Sequence, residues 1–401
     1  MTARIRIAAF AAAALTLAAT GASAADDTIK IGELNSYKAI PAFLEPYSKG
    51  MELAVEEVNA AGGVLGKPLE VIARDDGATP GDAVRAADEL VAREGVDVLA
   101  GTFLSNIGLA VSEYAKRRKV FFLASEPLSD KLTWENGNRY TFRLRPSTYM
   151  QVAMLMDAVE QSGAKRWALV YPNYEYGTSA AETFKELLKE RVPDAEIVSE
   201  QAPPLRKIDA GAVVQAIADS NPDGIFNVLF AGDLAQFVRE GQTRGLFDET
   251  AVVSLLTGEP EYLDPLGADT PTGWAVTGYP WYGIETSAHD AFLVAYRDKF
   301  DTYPRLGSVV GYSTIKALAA GIEKAGSTDT EALIKAFEGL QVETPFGEIS
   351  FRPVDHQSTL GAYVGSLDLV DGKGRMVDFR YVAGDEVLPD DETVRKLRPA
   401  D

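Results

Sequence analysis

Short apolar runs and amphipathic stretches alternate along the chain from Thr28 onward. Apolar runs predict buried strands at 28–34, 68–74, 96–100 and 119–124. Between them, apolar residues recur at helical spacing, which predicts helices at 50–60, after Pro80 and at 106–117. Strict alternation of helices with continuous apolar strands is typical of a parallel sheet covered by helices on both faces.

The same rhythm starts again after residue 145. A helix is predicted over 148–162, and strands follow at 166–171, 196–199, 224–230 and 251–256 with helices between them. Residues 286–340 are again helical, and 347–382 are strand-like. A chain of 401 residues is too long for one ordinary core. We therefore expect two similar α/β lobes, followed by a loosely held tail over 389–401.

The N-terminal residues have the pattern of a secretory signal peptide. Arg4 and Arg6 precede a small apolar run, and Ala22-Ser23-Ala24 supplies the small residues that signal peptidase reads. The run is too short and too rich in alanine to span a bilayer. We expect a signal peptide over residues 1–24, cleaved after Ala24. Because the chain has no cysteine, we expect no disulfide and no lipid anchor, and hence a protein free in the periplasm.

Charge and catalytic inventory exclude several functions. The net charge is −20, which disfavours nucleic acid as a partner. No G-x-S-x-G elbow, Walker A loop or dinucleotide fingerprint follows a strand. His289 and His356 are far apart in sequence, have no ligand-spaced neighbours, and are expected on the surface. We predict no enzymatic activity, no cofactor and no metal site.

Several motifs occur in the order found in one family. They are Ala61-Gly62-Gly63-Val64-Leu65-Gly66, Asp75-Asp76 before Pro80, the strand and turn at 96–105, and Tyr176-Gly177. With these motifs the chain resembles the leucine/isoleucine/valine-binding family of type I periplasmic solute-binding proteins. The resemblance implies two Rossmann-like lobes with parallel sheets flanked by helices, joined by three hinge crossovers near 144–145, 277–279 and 347–350. Lobe one would comprise 25–144 plus 279–347, and lobe two 145–278 plus 348–401.

The resemblance also implies a function. A monomer would capture a small amino acid or related carboxylate in the interlobe cleft and deliver it to ABC transporter permease subunits in the inner membrane. Two alternatives stay open. One is a periplasmic ligand sensor that signals to a membrane partner. The other is an importer receptor for aromatic or short-chain carboxylates, or for amides.

The predicted ligand contacts come from both lobes. Ser105 opens a helix after a strand, so its side chain is expected to cap that helix, and it and Asn106 could bind a carboxylate together with the helix amides. An ordinary cap without a ligand is the alternative. Glu126 follows the next strand, where it could receive an ammonium or a hydroxyl group, or could be a solvated loop charge.

From lobe two, the resemblance brings Tyr176, with Tyr174 beside it, and an acidic residue for an ammonium group, Glu259 or else Glu261. Simple packing is the alternative for Tyr176. The aromatic residues Phe103, Tyr37 and Trp281 are expected to complete an aromatic wall. Two segments depart from the family pattern: the turn at 35–40, and 145–148, which lacks the aspartate common in amino-acid binders.

Overall fold

The computed structural model of the protein describes residues 28–399. The first unit comprises β1 (Ile29–Asn35), α1 (Pro41–Ala60), β2 (Leu69–Asp75), α2 (Pro80–Glu89), β3 (Val98–Gly101), α3 (Ser105–Arg118), β4 (Phe122–Ala124) and β5 (Thr141–Arg143). Its five strands are parallel, in the order β2-β1-β3-β4-β5. The four predicted strands are present, with ends shifted by up to three residues. The three-residue β5 was not predicted, and α1 begins nine residues earlier than expected.

The second unit repeats the alternation. It comprises α4 (Thr148–Ser162), β6 (Arg166–Val170), α5 (Glu175–Arg191), β7 (Glu196–Gln201), α6 (Ala210–Asp219), β8 (Gly224–Asn227), α7 (Ala231–Thr243), β9 (Ala251–Gly258), α8 (Pro260–Leu263) and β10 (Ala275–Gly278). The remaining elements are α9 (Ser287–Phe300), α10 (Leu306–Ala325), α11 (Thr330–Phe337), β11 (Gln341–Thr344), β12 (Gly347–Ser350), β13 (Ala362–Val370), β14 (Lys373–Val382) and α12 (Asp391–Leu397).

The second sheet has seven strands in the order β14-β13-β10-β9-β8-β6-β7. Strands β6 to β10 are parallel, and the β13–β14 hairpin adds two antiparallel strands at one edge. Two lobes with largely parallel, helix-flanked sheets are thus present, as the sequence predicted. The lobe boundaries at 144, 278 and 347 stay a prediction.

Helices α9 to α11 return to the first lobe, where α10 packs closely along α1. Glycines make this approach possible. A Cβ atom on Gly50 would lie 2.0 Å from the carbonyl oxygen of Ser308, and one on Gly311 would lie 2.1 Å from that of Tyr47. Because real Cβ atoms do not come so near to backbone, the two helices can keep this distance only with glycine at both positions.

Side chains tie the segments that connect the two sheets to one another. Gln357 donates to the carbonyl oxygen of Arg145 (3.0 Å), and Ser358 donates to that of Leu144. The hydroxyl of Thr277 donates to Gln151 (3.1 Å). The first two bonds link the connections after β5 and β12, and the third joins strand β10 to helix α4.

The C-terminal segment is not the loosely held tail that its charge suggested. It contains α12, and Arg398, which follows that helix, is only 9% exposed. Arg398 donates to the carbonyl oxygens of Thr133 (2.9 Å) and Asp355 (3.1 Å). Its buried guanidinium therefore ties the segment around α12 to the loop before β5 and to the connection after β12. Within residues 28–399, no helix has both the length and the apolarity needed to cross a bilayer.

Candidate ligand-binding site

A small cavity lies between the two lobes, where loops leave the carboxyl ends of strands from both sheets. In open α/β sheets this edge is where ligands bind. Its walls are formed by Phe103, Ser105, Glu126, Leu128, Arg145, Tyr174, Tyr176, Phe230 and Leu256. Five of the nine predicted contacts, Phe103, Ser105, Glu126, Tyr174 and Tyr176, therefore lie around one space. Their contact with a ligand stays a prediction.

Aromatic rings form most of the apolar wall. Phe230 of the second lobe contacts Phe103 of the first, with ring centroids 6.3 Å apart. It also contacts Tyr176 at 6.0 Å and Tyr174 at 6.5 Å. The space left between these side chains is about 10 Å³, enough for a single water molecule. A larger ligand therefore requires the rings or the lobes to move apart.

Ser105 does not have the capping role predicted for it. Leu104 is the N-cap residue of α3, and Ser105 is its first helical residue. The Ser105 hydroxyl instead accepts hydrogen bonds from the backbone N–H groups of Leu128 (3.2 Å) and Ser129 (3.1 Å). It thereby fastens the loop after β4 beside the cavity, and its own hydrogen is left to donate.

The first amides of α3 are available to an anion. The backbone N–H groups of Ser105 and Asn106 find no acceptor among residues 28–399. Helix N-termini leave such donors unsatisfied and carry partial positive charge. This end of the cavity suits a carboxylate.

Arg145 forms a buried ion cluster in the wall of the same cavity. Its guanidinium donates to Glu126 of the first lobe (3.0 Å) and to Glu259 of the second (2.7 Å). The arginine side chain is 5% exposed and each glutamate 1%. Burial raises the pKa of Glu126 to about 8 although Arg145 acts to lower it. Burial also raises the pKa of Glu259.

Several polar atoms in this region are buried with no hydrogen-bond partner in the described chain. Two of them belong to residues that line the cavity, the second carboxyl oxygen of Glu126 and the hydroxyl of Tyr176. Glu259 and Glu261 each also have one carboxyl oxygen that is buried without a partner in the described chain. A buried polar atom without a partner is costly. Atoms of this kind in a cavity wall are candidates for bonding to a ligand.

Glu259 does not share the aromatic cavity with Ser105 and Tyr176, contrary to expectation. It lines a second small cavity on the other side of Arg145, between Pro146, Thr277, Leu306 and neighbouring residues. The alternative acid, Glu261, lines neither cavity. It accepts a hydrogen bond from the backbone of Gly307 (2.7 Å), and burial raises its pKa to about 8.

Two predicted aromatic residues lie outside the cavity wall. Tyr37 donates its hydroxyl to the buried carboxylate of Glu33, near the end of β1. Trp281 stacks on Tyr303 with centroids 4.5 Å apart, beside a separate groove. Neither residue lines the cavity around Ser105, and their contact with a ligand stays a prediction. An aromatic residue in a predicted loop finds a packing partner wherever apolar surface is nearest.

The prediction that both histidines lie on the surface is wrong, since both are buried. His289 is 0% and His356 3% exposed. The first is hydrogen-bonded to the hydroxyl of Tyr279 (2.7 Å), and the second stacks on Phe142 at 3.8 Å. Across residues 28–399, no group of three or more His, Asp or Glu side chains is arranged to hold a metal ion.

Comparison with known proteins agrees with this two-lobed architecture. Residues 28–374 match the periplasmic binding protein family, which is most of the chain. The protein belongs to this family. One relative is the Leu/Ile/Val-binding protein homolog 7 of Brucella suis biovar 1 (strain 1330). It is 26% identical over 349 residues, which cover 82% of this chain and 86% of that protein.

Two solved structures illustrate the fold of this periplasmic binding protein. A solute-binding protein of an ABC transporter from Rhodopseudomonas palustris BisB5, in complex with 3,4-dihydroxybenzoic acid, has a TM-score of 0.79 and 25% identity. The match covers 89% of this chain and 98% of that one. The closed leucine-, isoleucine-, valine-, threonine- and alanine-binding protein of Brucella ovis has a TM-score of 0.80 at 21% identity. There the coverage is 93% and 100%.

The largest omission from the predicted site of this periplasmic binding protein is Arg145. Sequence reasoning treated it as part of a crossover and noted only that the segment lacks the family's aspartate. Phe230, Leu128 and Leu256 were also absent from the predicted set. A charged residue between a strand and a proline, at a lobe boundary, was the signal that could have identified Arg145.

Proposed function

We propose that this protein is the periplasmic substrate-binding component of an ABC importer, and that its cargo is a small carboxylate with an aromatic or bulky apolar body. One observation carries the proposal: the interlobe cavity combines aromatic walls with free N–H donors at the start of α3 and with the unpartnered oxygens of Glu126 and Tyr176. Pockets of this composition bind small organic ligands. The protein would deliver its cargo to permease subunits in the inner membrane.

The carboxylate of the ligand is assigned to the start of α3. The free N–H groups of Ser105 and Asn106 and the Ser105 hydroxyl provide three donors there. An anion at a helix N-terminus also gains from the helix dipole. Because these donors belong to the first lobe, the ligand would bind to that lobe first.

Closure would then enclose the body of the ligand. Tyr174, Tyr176 and Phe230 of the second lobe face Phe103 of the first. Insertion of a flat or branched apolar group between them would replace ring–ring contacts by ring–ligand contacts. The far end of the ligand would donate to Glu126 or Tyr176, whose unpartnered oxygens need a donor. Ligand binding thereby favours the closed population that a permease would recognise.

Two cargo classes fit this geometry. A hydroxylated aromatic carboxylate is supported by the four aromatic side chains and by the 3,4-dihydroxybenzoic acid in the similar R. palustris protein. An apolar amino acid is supported by the names of the Leu/Ile/Val-binding relatives and by the acidic residues near the cavity. Neither class calls for chemistry on the ligand, so the protein would bind and release its cargo unchanged.

The test is a binding screen on the mature chain, residues 25–401. Thermal shift and calorimetry would compare 3,4-dihydroxybenzoate, 4-hydroxybenzoate, L-phenylalanine, L-leucine and benzamide. A specific ligand at 100 times its Kd should add about 2.7 kcal/mol of stability. Binding of at least one acid but not of benzamide is expected. Failure of every acid would contradict the proposal, and so would turnover of a bound ligand.

Signal-peptide cleavage is a separate part of the proposal. Residues 1–24 lie outside the described residues, and their removal after Ala24 would release the chain into the periplasm as a monomer. Mass spectrometry of protein from a periplasmic extract should give an N-terminus at Ala25. Retention of residues 1–24, or recovery only from the membrane fraction, would contradict this part.

A further inference from the structure

Arg145 separates the aromatic cavity from the second small cavity. Its side chain lines both spaces, whereas Glu126 lines the first and Glu259 the second. Each glutamate gives one oxygen to the guanidinium, at 3.0 and 2.7 Å. A ligand in the aromatic cavity therefore meets a fixed cation in front of Glu259.

Neighbouring residues hold Arg145 in place. Pro146 follows it and restricts its backbone to extended conformations. The guanidinium carbon also lies 5.9 Å from the ring of Phe43, within the range of a cation–π contact. Removing one partner of a buried ion pair is strongly destabilising, because the other charge is left buried and uncompensated. A ligand that displaced this side chain would break two such pairs at once, so Arg145 stays in place when a ligand binds.

An ammonium group is poorly matched to this arrangement. It would have to approach the carboxyl oxygens of Glu126 while facing the positive charge of Arg145 in a space of low polarity. Glu259, the acid that the family resemblance assigns to an ammonium, lies behind the guanidinium. A neutral hydroxyl, in contrast, can donate to Glu126 or Tyr176 without this repulsion.

We propose that Arg145 is a specificity-determining residue that excludes ligands with an ammonium group, so that the cleft selects carboxylates whose far end is uncharged. This inference rests on the proposed function and decides between its two cargo classes in favour of aromatic carboxylates. Arg145 acts by occupying the two acids that would otherwise receive the cation.

The experiment uses ligand pairs that differ in the ammonium group. 4-(Aminomethyl)benzoate is compared with 4-(hydroxymethyl)benzoate, and 4-(2-aminoethyl)benzoate with 4-(2-hydroxyethyl)benzoate, by calorimetry on the mature protein. In the native protein the uncharged member of a pair should bind at least tenfold more tightly. In Arg145→Met this ratio should fall by at least tenfold, because Glu126 and Glu259 lose their cation. Arg145→Lys, which keeps a positive charge, should retain the native preference.

A double variant and melting curves control for loss of folding. The double variant Arg145→Met/Glu126→Gln also removes the carboxylate that lines the aromatic cavity, so it should fold at least as well as the single variant and lose the gained affinity for ammonium ligands. Circular dichroism melts would verify folding. If the native protein binds the ammonium members equally well, or if Arg145→Met leaves the ratio unchanged, the inference fails while the proposed function stands. If no member of either pair binds, the proposed function fails with it.

Discussion

The hydroxyl of Tyr176 can be removed with opposite effects on stability and on binding. Its side chain is 2% exposed, and the hydroxyl is buried without a partner among residues 28–399. The ring contacts Phe230 and Tyr174, with centroids 6.0 and 6.1 Å away. Tyr176→Phe keeps these contacts and deletes only the oxygen, so the variant isolates the contribution of one polar atom.

The expected magnitudes follow from the cost of an unpaired hydroxyl. Burying one without a hydrogen bond costs about 1–3 kcal/mol. The ligand-free variant should therefore be more stable by about 1 kcal/mol, which raises Tm by about 1–2 °C in a protein of this size. A ligand that bonds to this hydroxyl gains about 0.5–1.5 kcal/mol. Its Kd should then rise roughly 2- to 12-fold in the variant.

Tyr262→Phe is the matched control. The Tyr262 hydroxyl is also buried without a partner in the described chain, and its ring lies 6.1 Å from that of Phe230. Tyr262 does not line the aromatic cavity, however. Scanning calorimetry should show a similar gain in Tm for both variants, whereas titration should show a higher Kd only for Tyr176→Phe. A lower Tm with unchanged Kd for Tyr176→Phe would refute the reasoning.

Three other predictions concern packing and pH. Phe230→Ala should raise the ligand Kd about tenfold by removing ring contacts. Phe247→Ala, a control outside the cavity, should lower Tm and leave the ligand Kd unchanged. Equal Kd values for the two variants would contradict this prediction. Gly311→Ala should destabilise the protein by about 3 kcal/mol in denaturant titrations. Gly232→Ala, where no atom lies within 4 Å of the added Cβ, should not destabilise it. An unchanged free energy of unfolding in Gly311→Ala would contradict the packing argument. Burial raises the pKa of Glu33 from 4.5 to about 8, so the folded protein favours the protonated carboxyl group. The contribution of Glu33 to stability is therefore fully present below pH 4.5 and is lost as the pH rises to 8. The loss amounts to at most about 1.4 kcal/mol per pH unit. Melting temperatures should therefore fall less from pH 6 to pH 8 in Glu33→Gln than in the native protein, and equal falls would contradict this.

The fold was readable from the sequence because its signals are local. Helix α4 begins and ends at the predicted residues, 148 and 162, since apolar spacing and a following glycine mark both its face and its end. Strand β5 was missed because only one of its three residues, Phe142, is apolar, whereas the equally short β4 consists of apolar residues alone. The early start of α1 was hidden by Pro46, which lies inside the helix although proline normally interrupts one.

The site was readable only in part, because a binding site depends on contacts between distant residues. The rule that ligands bind at the carboxyl edge of a parallel sheet identified Glu126, the start of a helix after a strand identified Ser105, and the family resemblance added Tyr176. No such rule connects Arg145 with Glu259, which is 114 residues later. The burial of His289 and His356 was equally hidden, because each packs against residues that no periodic pattern joins to it.

An unpartnered buried atom does not by itself mark a binding site in this protein. His289, Trp274 and Ser313 each have one, and none of them lines the aromatic cavity. What distinguishes Glu126 and Tyr176 is that their unpartnered oxygens belong to the wall of an interlobe cavity that faces free helix amides. Local imperfections of folding tend to accumulate where function requires them. The coincidence of unpartnered acceptors, free donors and aromatic walls in one cavity is therefore a stronger indication of a ligand than any of these features alone.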